Sequence, residues 1–109
     1  MTQTKSQTPM KQYWAGKSAP EHADAWFNFH KTVSSNGVLD QKTKELISIA
    51  VGNTARCSHC VKAHIKDAFK AGATKNEVAE AIMVSASIGS GANIFWNSKD
   101  FEELLGDSE

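Results

Sequence analysis

The residues best equipped for chemistry are Cys57-Ser58-His59-Cys60 and, four positions on, His64. They include both cysteines of a 109-residue chain. An α-helix turns about 100° per residue, so Cys60 lies about 60° and His64 about 20° behind Cys57 on one face. Thiols three apart on a helix approach the Cα separation of about 5.5 Å that a disulfide prefers. Unpaired N–H groups at a helix start stabilise a thiolate. His64, one turn after Cys60, is placed to take its proton. His59 points about 200° from Cys57, on the opposite face of an ideal helix. The set suits a two-electron redox cycle. The first thiol is nearer the helix start, which leaves open which cysteine attacks first.

These groups need helices to hold them, and the apolar pattern supplies helices. Pro20 opens the first, with Glu21 and Asp24 at the positive end of its peptide dipoles. Ala23, Trp26, Phe27, His30 and Val33 follow a three-four rhythm, widened by Phe29, up to a stop at Asn36-Gly37. Asp40 caps a second helix with Leu46, Ile49, Ala50 and Val51 facing inward. Thr54 caps a third that carries the cysteines and ends near Ala71, before Gly72. Thr74 and Glu77 form a capping box for a fourth, over about 75–88, which Gly89-Ser90-Gly91 breaks. A last helix holds Ile94, Phe95, Trp96, Phe101, Leu104 and Leu105 and ends at the charged residues 107–109. Strand alternation is absent. The expected fold is all-α, a compact bundle of about five or six helices with orthogonal or antiparallel neighbours. Residues 1–18 read as a flexible N-terminal arm, and 19–109 as a single domain.

If the second and third helices are antiparallel, Glu45 falls about level with His64. A carboxylate there can orient the imidazole or accept its proton. The alternative is a solvated carboxylate paired with Lys42 or Lys44. His30 belongs to the Trp26 stripe and reads as structural. Arg56 either steadies a thiolate by charge or serves an ordinary ion pair.

Composition narrows the function. Twelve basic and twelve acidic side chains cancel, which argues against nucleic acid and anionic membrane as partners. The first twenty residues contain no apolar leader, and no uninterrupted apolar run approaches the ~20 residues of a membrane span. A cytoplasmic setting follows as the expectation, and there a close cysteine pair is catalytic or metal-binding rather than a static staple. Apolar residues make up 40% of the chain, with three Trp and five Phe. A chain this small buries a modest fraction of its surface, so some of this apolar surface is expected to meet another subunit of a homo-oligomer. No glycine pattern for a nucleotide or flavin occurs, and the side chains alone can carry the chemistry.

The stretch from Glu45 through Cys57-Ser58-His59-Cys60 to His64 resembles the core motif of the carboxymuconolactone decarboxylase superfamily, in its alkylhydroperoxidase D-like (AhpD-like) branch. The likeness is strong over 40–70 and general in pattern outside it. It implies a helical fold assembled as trimers or hexamers, and a small thiol-dependent hydroperoxide reductase. By that resemblance Cys60 meets the peroxide, Cys57 resolves the product to a disulfide, and Glu45, His59 and His64 form a proton relay. An external dithiol or thioredoxin-like protein would restore the pair. The chain resembles one motif-bearing half of the full-length hydroperoxidases. Lactone decarboxylation is a property of superfamily members that do not rely on the cysteine pair.

Rival readings remain open at this level. Cys57, Cys60 and His64, with His59 or water, could ligate a metal, although ligands on one regular helix surround an ion poorly. A thiol–disulfide oxidoreductase without peroxidase turnover uses the same residues. A non-catalytic oligomeric module with inert buried cysteines is the third.

Overall fold

A computed structural model describes residues 12–106. Within them six helices follow one another: α1 (Trp14–Ser18), α2 (Pro20–Ser34), α3 (Gln41–Thr54), α4 (Ser58–Lys70), α5 (Lys75–Phe95) and α6 (Ser98–Leu105). No strand occurs among the described residues, so the fold is all-α as expected. Contacts divide the chain into two compact units that meet in sequence at Asp40 and Gln41.

The first unit contains α1 packed on α2. Part of the expected arm falls within this unit. Residues 14–18 are helical, and Gly16 is buried. The part of the arm before residue 12 lies outside the described residues. Pro20 stands at the start of α2, where its missing N–H leaves no helix bond unmade. Trp26 and His30, one turn apart, stack with ring centroids 4.9 Å apart, which gives His30 the structural role expected.

In the second unit α3 packs against both α4 and α5. Ile49, Ala68, Ala73 and Val78 are buried, with Leu46, Ile65 and Ile82 packed on them. Ile49 is wholly enclosed, and burying it contributes about 2–3 kcal/mol. Val51, expected inside, is 61% exposed.

Three boundaries differ from the sequence pattern. Thr54 does not cap the third helix: it is the last residue of α3, and its hydroxyl donates back to the Ala50 carbonyl at 3.1 Å. Gly89-Ser90-Gly91 does not break α5, which runs on to Phe95. Each glycine costs about 1 kcal/mol against alanine, and ending the helix there would have left several carbonyls unpaired. Ser90 also bonds internally, its hydroxyl donating to the Ser87 carbonyl. Ile94 and Phe95 therefore belong to α5, and the expected last helix begins only at Ser98. The chain's closing residues 107–109 lie outside the described residues.

Two other punctuation marks hold. Gly72, at φ 95°, ends α4 with Ala73 N–H donating to the Ala68 carbonyl and Gly72 N–H to that of Phe69. This is a Schellman close with glycine at its left-handed position. Thr74 and Glu77 form the full capping box of α5, each side chain accepting the other's backbone N–H.

Candidate redox site

The corner between α3 and α4 carries the site. Cys57 N–H donates to the Gly52 carbonyl at 2.9 Å, and Arg56 N–H to that of Asn53 at 3.2 Å. This is a second Schellman close. Here the left-handed residue is Arg56, at φ 58°, the one non-glycine with positive φ among the described residues. Cys57 is also the N-cap of α4, its Sγ accepting the Cys60 N–H at 3.2 Å. One residue thus closes one helix and opens the next.

The two cysteines form a disulfide with Cα atoms 5.2 Å apart, the pairing that their spacing allows. In this oxidised state neither sulfur is a thiolate that could bind a metal. Gly52 makes the corner tight. A Cβ there would stand 3.1 Å from Cys60 Cβ and 3.5 Å from the Val61 side chain. Glycine is what lets α3 lie directly against Cys60.

Glu45 and His64 meet across the same two helices. His64 Nδ1–H donates to Glu45 Oε1 at 2.6 Å, with Glu45 only 3% exposed and His64 9%. A carboxylate only accepts, so in this pair it is Nδ1 of the ring that carries the proton. The antiparallel register expected of Glu45 is therefore present, and the solvated alternative is not. Asp67, one turn beyond His64, completes a group with Glu45 and His64 whose donor atoms lie within 4.8 Å of one another. Sequence reasoning passed over Asp67. Its only signal was the i, i+3 spacing from His64, which is common on any helix. Glu45, His64 and Asp67 are the described residues able to hold a cation at this point.

His59, the third relay candidate, stands on α4 five residues before His64. It is exposed on α4, in keeping with its place opposite the cysteine face.

Two cavities open at the corner. One, of about 330 Å³, is lined by Gly52, Asn53, Arg56, Cys57, Ser58, Val61 and Lys62. The other, of about 500 Å³, lies against α5 and shares Asn53 and Arg56 with the first. Asn53 Nδ2 donates to the buried Ser85 Oγ at 2.7 Å, and Ser85 donates in turn to the Ile82 carbonyl. This pair ties the end of α3 to α5. Of the two alternatives for Arg56, the ion pair is absent among the described residues. Its Nη1 reaches only the Asn53 carbonyl, at 3.5 Å, the outer limit of a hydrogen bond.

A helical corner with a cysteine pair in its turn and a buried Glu–His pair beneath describes a class of redox-equipped helical domain. Residues 20–97 match the carboxymuconolactone decarboxylase family. The chain belongs to that family, on its AhpD-like branch. Among solved structures, a Methanobacterium thermoautotrophicum protein superposes with a TM-score of 0.72 at 37% identity, covering 79% of this chain and 94% of that one. A Thermotoga maritima member of the family, linked by its description to an antioxidative response, gives 0.61 at 30% identity, over 63% of this chain and 71% of its own. Among curated sequences, uncharacterized protein 4 in the cox locus of Paracoccus denitrificans is 41% identical over 63% of this chain and 62% of that protein. The alkyl hydroperoxide reductase AhpD of Corynebacterium kroppenstedtii is 29% identical over 62% of this chain. The match spans only 39% of that reductase.

Proposed function

We propose that the chain is a small thiol-dependent hydroperoxide reductase working through Cys57, Cys60, His64 and Glu45. The observation that carries this reading is the Cys57–Cys60 disulfide set one helical turn before a buried Glu45–His64 hydrogen bond. The AhpD likeness supports the substrate class.

In the reduced protein the Cys60 thiolate attacks the terminal oxygen of a hydroperoxide. The O–O bond breaks, the alkoxide leaves, and a proton held at His64 goes to it. Cys60 becomes a sulfenic acid. The Cys57 thiol attacks that sulfur, an S–S bond forms and water departs. Two electrons from an external dithiol then reopen the disulfide by exchange. Cys60 suits the first role because it lies against α3, the helix that bears Glu45, and four residues from His64. Cys57 suits the second because it lines an open cavity. Glu45 holds the imidazole and balances its charge. His59, exposed on α4, is the outer member proposed for the relay.

The working molecule is a homo-oligomer in a reducing compartment such as the cytoplasm. Large apolar side chains on α5 and α6 support the assembly, since Met83, Val84, Ile88, Ile94, Leu104 and Leu105 are all exposed on the single chain. Helix α5 is long and apolar enough to cross a bilayer by length and composition alone. The capping box at its start and the Asn53–Ser85 bond mark it instead as a helix packed against α3.

Cys60→Ser is expected to abolish dithiothreitol-dependent peroxide consumption, measured as loss of cumene hydroperoxide. In Cys57→Ser a sulfenic acid should be trapped on Cys60 by dimedone and seen by mass spectrometry. Wild-type turnover in Cys60→Ser would overturn the assignment. The cavity at Cys57 favours one further reading, a thiol–disulfide oxidoreductase. It gains if peroxide fails to compete with a disulfide substrate for the reduced protein.

A further inference from the structure

The cavity at Cys57 has a chemical bias that the redox cycle does not require. Arg56 and Lys62 both line it, and among the described residues no carboxylate lines it or the cavity that adjoins it. Neither cation has an acidic partner among the described residues. The remaining polar side chains, Asn53, Ser58, Thr54, Ser85, Ser90 and Asn93, are uncharged. The combined space is that of a small-molecule site.

Arg56 itself occupies an unfavourable backbone position. Two Schellman closes end α3 and α4, and the second uses Gly72 where the first uses Arg56. A left-handed residue with a side chain crowds its Cβ against the backbone, a cost that glycine avoids. Such strain persists where the side chain serves a purpose. Here it is not a fold-stabilising contact, because the guanidinium has only the 3.5 Å approach to Asn53.

We infer that Arg56 and Lys62 make the open side of Cys57 a binding site for a carboxylate-bearing low-molecular-weight thiol, the electron donor that reopens the Cys57–Cys60 disulfide. This rests on the reading of Cys57 as the exchange sulfur. The donor's thiolate attacks Cys57 Sγ while its carboxylate faces the two cations. The Cys57–Cys60 bond breaks and Cys60 leaves as a thiolate. A second donor thiolate attacks the donor's own sulfur in the mixed disulfide and releases Cys57. Two donor thiols become one donor disulfide, and their two protons end on Cys57 and Cys60. A carboxylated peroxide is the other source of such an anion, but it must reach Cys60, and Cys60 lines neither cavity.

The test uses the oxidised full chain without peroxide. Disulfide opening is followed by alkylation quench and mass spectrometry with mercaptopropionate, mercaptoethanol and cysteamine. Each rate is divided by the same thiol's rate on a small neutral disulfide, which removes differences in thiolate fraction and nucleophilicity. At low ionic strength the normalised rate for mercaptopropionate should exceed that for mercaptoethanol by roughly five- to tenfold, with cysteamine slowest, and salt should compress the order. The double variant Arg56→Gly, Lys62→Met should bring the three together. Arg56→Gly relieves the left-handed strain, so its fold is secured, and a circular dichroism melt checks this. Equal normalised rates in the wild type overturn the inference. So does a preference that survives in the double variant, or a variant that slows all three thiols alike. Dithiothreitol-driven peroxide consumption by the wild type is read separately. Its absence beside an intact carboxylate preference defeats peroxide reduction and leaves this site standing, and the reverse pattern defeats only this site.

Discussion

Glu45 and His64 show how much of a site a single residue pair can decide. Glu45 is almost wholly enclosed and its carboxylate spends its strongest hydrogen bond on an imidazole. Glu45→Gln keeps the shape and a hydrogen bond but removes the charge that steadies a protonated ring. Peroxide turnover should fall by about 10²-fold, in the range of a lost acid–base contribution. Opening of the disulfide by dithiothreitol should keep its rate, because exchange at Cys57 does not pass through the relay. A variant with full peroxide turnover would remove Glu45 from the mechanism. This pair was legible in the sequence, since antiparallel helices joined by a short turn fix which positions stand level. Arg56 was not legible. Its place before Cys57 suggested charge beside a thiolate or an ion pair, and only the backbone geometry shows that it holds a position where glycine is cheaper. The donor cavity was equally hidden, because it needs Asn53 and Arg56 from the end of α3 to face Ser58 and Lys62 on α4.

At the scale of elements, α3 and α5 are tied at one end by Lys42 and Glu77. Lys42 Nζ donates to Glu77 Oε2 at 2.9 Å, and the other carboxylate oxygen accepts the Thr74 N–H. The lysine hydrogen bond first, and the Thr74 amide second, hold the Glu77 carboxyl below its ordinary value of 4.5. A carboxyl depressed in the folded state adds stability that is present above its ordinary value and is lost as pH falls through its folded value. In Lys42→Met the Glu77 carboxyl should titrate closer to 4.5, as seen by carbon-detected NMR. The stabilities of variant and wild type should differ at neutral pH and converge in acid. An unmoved titration would show that the Thr74 amide alone sets it. The capping box itself could be read from Thr74 and Glu77, three apart. The length of α5 could not, because Gly89 and Gly91 mimic a stop. The penalty of two helical glycines is small beside the backbone bonds that continuing the helix preserves. Thr54 misled for the opposite reason. A threonine can cap a helix or bond back within one, and the Schellman turn at Arg56 chose the second.

For the whole molecule, the unspent apolar surface matters most. A groove between α3 and α5 is lined by Leu46, Ile47, Ala50 and Val84, and continues past Val51 to Ile88. On the single chain Ile88 is 66% exposed, so its replacement by aspartate costs the fold little. In an oligomer that buries this groove, the same aspartate would be a desolvated charge. Ile88→Asp should therefore sediment as a single chain while the wild type sediments as a larger species, with both keeping the same helical circular dichroism. A wild type that sediments as one chain would refute the assembly. The homo-oligomer was expected from the apolar share of so short a chain together with the family resemblance. Which face does the work was beyond reach, since α5 is apolar nearly all round and its period names no side.

The hydrogen that opens α4 rests on the sulfur of Cys57, so one atom belongs both to the breakable bond and to the scaffold. The protein thus carries its own gauge of oxidation. The nitrogen-15 resonance of the Cys60 amide will move when the sulfurs part, and electron flow can be followed in real time with no dye attached.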